Sequence, residues 1–172
     1  MRLNIGGYGW GEYGNYGGPD YGPVEVSYNE QTGKYEYTLG ADTKDGLDEV
    51  YMNHDISYGI TDLKLQRGDI TETEAKLEIM AADRQLIKDS LAYNSFLDTR
   101  CENEAYAEAY KSAAITAFTG KMAYDMAQLV KAGISTAIAE GAALMQDIME
   151  SAGDVITDII GTGYDFGSSG FS

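Results

Sequence analysis

The chain has one histidine, His54, so any imidazole general base working near neutral pH must be this side chain. Its ordinary pKa of about 6.5 suits that task. Asp55 follows it directly. On a helix, consecutive side chains diverge by about 100°, which lets an imidazole and a carboxylate face one small site from adjacent directions, with room for a metal ion beside the base. Tyr58 lies one turn further along the same face, where its hydroxyl can reach a carboxylate arriving from a neighbouring helix. Asp83 falls on an apolar stripe made by Ile79, Met80, Leu86, Ile87 and Leu91, so its carboxylate points at the core. Burying that charge costs several kcal/mol unless it is paired, and His54 and Tyr58 are the candidate partners.

The chemistry such a set supports is hydrolysis. An aspartate that orients one imidazole nitrogen leaves the other to take a proton from water. A calcium ion held by Asp55 and backbone carbonyls would polarise an ester carbonyl and stabilise the oxyanion. A lone histidine on an apolar helix face is more often a core residue than a catalyst, and only its neighbours argue otherwise. The single cysteine, Cys101, has no second histidine to pair with, which argues against a thiol hydrolase.

These side chains need helices to carry them. Leu47, Val50, Tyr51, His54 and Tyr58 recur at helical spacing after Asp45, which predicts a first helix over about 45–66. Gly68 and Asp69 break the pattern, and Thr71 with Glu74 fits a capping box opening a second helix that reaches about Asn94. A short turn between two helices makes them pack antiparallel. Before them, Val24–Tyr28 and Lys34–Leu39 alternate with period two around a turn-rich Asn29–Gly33, the pattern of a β-hairpin. Beyond Arg100 the chain is rich in Ala, Met and Tyr, and two further helices are expected, over about 102–131 and 134–160.

The expected fold is therefore mainly α: two antiparallel helices bearing the site, a small hairpin and additional C-terminal helices. The chain divides into a Gly/Tyr-rich segment over 1–23, a core over 24–100, an Ala-rich helical region over 101–161 and a flexible tail over 162–172. The first of these reads as an irregular surface segment, or as glycines that cradle an ion through backbone carbonyls. Its aromatics, including Trp10, are candidates for touching a lipid interface or for packing on the protein's own surface.

Composition sets outer limits. With 44% hydrophobic and 23% charged residues among 172, the sequence is that of a globular protein with one core. A formal net charge of −16 excludes nucleic acid as a ready partner and repels anionic lipid unless divalent cations intervene. One cysteine makes no internal disulfide, so packing must hold the fold. No stretch resembles a signal peptide or a membrane span, and if the protein is exported a signal-peptide-independent route is expected. The Ala-rich helices lack the basic polar face of interfacial binders, which favours core packing, a homo-oligomer or a partner protein.

The run Asp45-Gly46-Leu47-Asp48-Glu49-Val50-Tyr51-Met52-Asn53-His54-Asp55-Ile56-Ser57-Tyr58 resembles the active-site helix of the phospholipase A2 family. That family's signature is Asp-x-Leu-Asp, a six-residue step to His-Asp, and a tyrosine four residues past the histidine, and the spacing here matches. Ala81-Ala82-Asp83-Arg84-Gln85-Leu86 is similar to the Ala-Asp segment of its cysteine-poor branches, the parvoviral capsid lipases and bacterial toxin domains. The cysteines that usually flank the His-Asp pair are replaced by Val50, Tyr51 and Ser57. The likeness covers roughly residues 37–91.

The resemblance implies a calcium-dependent carboxylic ester hydrolase acting on the sn-2 ester of membrane glycerophospholipids. In it His54 is the general base, Asp83 orients the histidine, Tyr58 supports that pair and Asp55 is a calcium ligand. The family also lends calcium three backbone carbonyls from a glycine loop before the helix. By that pattern Thr38, Gly40 and Asp42 would supply them, although Asp42 stands where glycine is usual and the stretch to Asp45 is short. A second source is Tyr13-Gly14-Asn15-Tyr16-Gly17-Gly18, if that segment folds back over the first helix. The alternative function is a catalytically inactive relative that binds a membrane or a protein.

Overall fold

The computed structural model describes residues 13–18, 24–133 and 146. The expected helix over 134–160, apart from residue 146, the tail over 162–172 and Trp10 lie outside the described residues. What is described is mainly helical: a hairpin of β1 (Val24–Asn29) and β2 (Lys34–Leu39), then α1 (Gly46–Arg67), α2 (Glu72–Ala92) and α3 (Glu104–Lys131).

The hairpin pairs Val24 with Leu39 and Asn29 with Lys34 in antiparallel register. Its turn is set by Asn29, whose side-chain oxygen accepts from the backbone N–H groups of Gln31 and Thr32, and by Gly33 at φ 67°. Helix α1 starts where the Asp45 carboxylate accepts from the N–H of Asp48 at 2.9 Å. It stops at Gly68, whose left-handed φ of 75° lets the N–H groups of Gly68 and Asp69 turn back onto Leu65 and Lys64. Helix α2 opens on the reciprocal capping box of Thr71 and Glu74 that the sequence predicts. It closes two residues before Asn94, at Ala92.

Helices α1 and α2 pack antiparallel, and α3 packs on α2. The hairpin rides on α1 through β1, so closely that a Cβ on Gly59 would lie 2.7 Å from Val26 Cγ2. One apolar cluster joins all three helices: Leu47 and Tyr51 of α1, Met80, Leu86 and Ile87 of α2, and Ala107, Met122 and Leu129 of α3. Each of the large aliphatic side chains buried there stabilises the fold by about 1.5–3 kcal/mol relative to exposure. Tyr13 and Tyr16 join the same cluster, which brings the stretch 13–18 onto α1. No described helix is long and apolar enough to cross a membrane.

Candidate functional site

His54 lies near the middle of α1 on the face turned toward α2 and α3, and is 8% exposed. Its ring contacts that of Tyr58, 4.2 Å away between centroids, and meets that of Phe118 from α3 in a T-shaped contact at 4.8 Å. The Nε2 atom lies 2.9 Å from Asp83 Oδ1. Asp83 is fully buried on α2 and needs more than one partner to offset its desolvation. Tyr58 donates its hydroxyl to the same Oδ1 at 2.5 Å, and Lys121 of α3 donates to Oδ2 at 2.7 Å. Lys121 is held in turn by Asp125, one turn along α3, at 2.7 Å.

This arrangement decides the tautomer of the neutral ring. An ionised carboxylate only accepts, so the nitrogen facing Asp83 carries the proton and Nδ1 keeps its lone pair. On that side, Nδ1 is 3.8 Å from Asp55 Oδ1, too far for a hydrogen bond and near enough for a charge interaction. Two opposing influences act on the imidazole. Burial, the largest single one, pushes its pKa down, but the carboxylates of Asp55 and Asp83 outweigh it and the net shift is upward from 6.5. The Lys121 ammonium shows the same balance: burial lowers it, Asp83 and Asp125 more than restore it, and the lysine stays charged.

A second constellation lies toward the start of α1. Tyr13 and Gly17 bond each other's backbone, Tyr13 N to Gly17 O at 2.6 Å and Gly17 N to Tyr13 O at 2.8 Å, closing a tight turn. The fully buried Asp48 carboxylate holds that turn against α1 by accepting from the N–H groups of Asn15 and Tyr16 at 2.8–3.0 Å, and from that of Lys44 at 2.9 Å. Tyr13 donates its hydroxyl to Asp45 at 2.5 Å and lies within 5.1–5.6 Å of the rings of Tyr110 and Tyr106 on α3. Only glycine fits at position 14, where φ is 63° and a Cβ would fall 2.2 Å from the Asp48 carboxylate.

The sequence-derived site residues thus fall into two groups. His54, Asp83 and Tyr58 meet in one hydrogen-bonded unit, and Asp55 stands beside the other imidazole nitrogen. Thr38 and Gly40 are exposed at the end of β2 and, with Val24 and Glu25, line a cavity of ≈ 240 Å³ on the hairpin. The carbonyl of Asp42 accepts from the Asn15 side chain at 2.7 Å, and that of Ala41 accepts from the Tyr16 hydroxyl. The Ala41–Asp42 stretch therefore serves as a support for the folded-back Tyr13–Gly17 turn.

Among the described residues no cluster of three or more His, Cys, Asp or Glu side chains could hold a metal. A cation near Asp55 would need backbone carbonyls, as hard, oxygen-seeking calcium accepts readily. In the Tyr13–Gly18 segment the N–H groups of Asn15 and Tyr16 are drawn inward to Asp48, and the carbonyls of Tyr13 and Gly17 accept within the turn. The Tyr16 hydroxyl feels the Asp55 carboxylate as well as those of Asp48 and Asp42, and burial with those three charges pushes its pKa up.

Three contributions escape a reading of the sequence alone. Asp48 stands in the quoted run, but its task, anchoring the turn, depends on a segment more than thirty residues away. Lys121 and Phe118 belong to a helix read as packing or interface. A signal for Lys121 was present: it stands between Phe118 and Met122 on a stripe with Ala114 and Leu129, so it is a cation aimed at the core. Compared with known proteins, the chain matches no protein family, no curated protein and no solved structure.

Proposed function

We propose that this chain is a calcium-dependent hydrolase of the phospholipase A2 type, which cleaves the sn-2 ester of glycerophospholipids with a water activated by His54. The observation that carries the reading is the two-sided setting of the only imidazole: Nε2 on a buried, fully partnered Asp83, and Nδ1 turned toward Asp55. A histidine serving only as core filler does not require a carboxylate on each side. The turn over the start of α1 supports the same reading, since a calcium held by one carboxylate needs a backbone loop close by.

In this reading Nδ1 takes a proton from water as the oxygen attacks the ester carbonyl. The positive charge that develops on the ring lies between Asp55 and Asp83 and is stabilised by both. Nε2 keeps its proton throughout, because Asp83 holds it. The imidazolium then returns the Nδ1 proton to the departing glycerol oxygen. Asp55 and carbonyls of the Tyr13–Gly18 segment would hold calcium, which when bound supplies an electrophile for the carbonyl oxygen and the phosphate. Phe118 and Tyr58 pack against the ring and limit its exposure to bulk water.

Release of fatty acid from mixed phosphatidylcholine and phosphatidylglycerol vesicles tests this, with calcium or with chelator, for the wild-type chain and His54→Gln. The expected result is calcium-dependent release of the sn-2 acid that the substitution abolishes. Hydrolysis that persists in chelator and in His54→Gln contradicts the mechanism, and no hydrolysis under any condition favours a non-catalytic binding module.

A further inference from the structure

Asp83 is 0% exposed, yet α1 supplies partners for only one of its two oxygens. The other, Oδ2, accepts from Lys121 at 2.7 Å, and Lys121 is itself tied to Asp125 at 2.7 Å, so the position of the ammonium is fixed by α3. Phe118, one turn earlier on that helix, meets the His54 ring in a T-shaped contact. The third helix thus touches both members of the His54–Asp83 pair from one side.

We infer that Lys121 is a positioning residue for the reaction proposed above: its ammonium holds Asp83 ionised and oriented, and so keeps the His54 proton on Nε2 and the lone pair on Nδ1. This rests on that functional reading for its consequence in catalysis, but its structural content is independent of it.

The reason is the direction in which a carboxyl group can hydrogen-bond. An ionised Asp83 only accepts, so it forces the neutral ring to present an N–H at Nε2. Without a cation at Oδ2, a carboxylate this deeply buried is relieved by taking up a proton or by turning about its last side-chain torsion. A protonated carboxyl donates to Nε2, and the ring's proton then sits on Nδ1, where no lone pair remains to accept from water. Charged and titratable groups face the pair from every helix packed on it: Asp55 and Tyr58 from α1, Asp83 itself from α2, Lys121 and Asp125 from α3. Of these only Lys121 is a cation, and it reaches the oxygen that His54 and Tyr58 do not use.

Because His54 is the single histidine, its two ring nitrogens are read without assignment by 15N spectroscopy of the whole chain, at a pH above the imidazole range. The wild type is expected to show the Nε2–H form. Lys121→Met is expected to raise the Nδ1–H population and to lower kcat on monomeric short-chain phosphatidylcholine by about ten-fold or more, with KM little changed, as loss of a buried supporting partner does. Lys121→Arg, which restores the cation, should return both readouts most of the way. Lys121→Gln, neutral but close in shape, is expected to behave as the Met variant and serves if that variant does not fold. A folded neutral variant with the wild-type 15N pattern and unchanged kcat overturns the inference. A wild type without hydrolysis whose tautomer still shifts in the neutral variants overturns the functional reading and leaves the positioning role standing.

Discussion

At the scale of single residues, His54 is poised by opposed forces. Burial alone would make a neutral imidazole easier to keep, but Asp55 and Asp83 hold its proton more firmly, and the net pKa lies above 6.5 in the folded chain. A group raised on folding stabilises the fold fully below its unfolded pKa, and that stabilisation is lost as pH rises through the folded value. The calcium-free protein should therefore show a single imidazole titration above 6.5 by proton NMR, and Asp83→Asn should move it down. An inflection at or below 6.5 in the wild type contradicts the two-carboxylate setting. Since a base must be neutral to act, the proposed hydrolysis should rise with pH through the same transition. The grouping of His54, Tyr58 and Asp83 was legible in the sequence, because helical spacing alone puts Tyr58 over His54 and a carboxylate on an apolar stripe demands a partner.

Among the elements, the turn at Tyr13–Gly17 and the facing of the third helix were the hard parts to read. Glycine-rich segments carry no periodicity, and what fixes this one is a buried aspartate far along the chain that gathers its N–H groups. Asp48→Ala leaves the N–H groups of Asn15, Tyr16 and Lys44 without their acceptor, and should cost about 1–3 kcal/mol for each group left buried and unpaired, measured by urea unfolding. Gly14→Ala should detach the same turn, because its Cβ would meet the Asp48 carboxylate and its φ is left-handed. The hairpin makes a separate test: Gly59→Ala should destabilise by driving a methyl into Val26, and Val26→Ala in the same chain should recover part of the loss. An unchanged urea midpoint in Gly59→Ala would show that β1 does not sit on α1 as described. The capping box, the Gly68 stop and the two strands of the hairpin were legible because each is a local rule. Which face α3 offers to α2 is not local, so Lys121 was legible only as a cation on an apolar stripe.

The molecule as a whole is acidic, with a net charge of −16, and this bears on how it would meet a lipid surface. Like charges separate it from anionic vesicles, and added salt or divalent cations screen that repulsion. Saturable calcium binding by calorimetry, weakened at least about ten-fold in Asp55→Asn while the circular dichroism spectrum is kept, is the expected sign that calcium acts at the site and not only as a screen. Equal binding in both proteins would assign the calcium effect to the surface charge.

The claim on which all of this turns is that a water activated by His54 attacks the sn-2 ester, and it is tested most directly by hydrolysis in 18O-labelled water. With calcium, the wild-type chain is predicted to release fatty acid carrying one 18O in its carboxylate, with none in the lysophospholipid, and His54→Gln to release none. Unlabelled fatty acid, or labelled release that continues in His54→Gln, would contradict it.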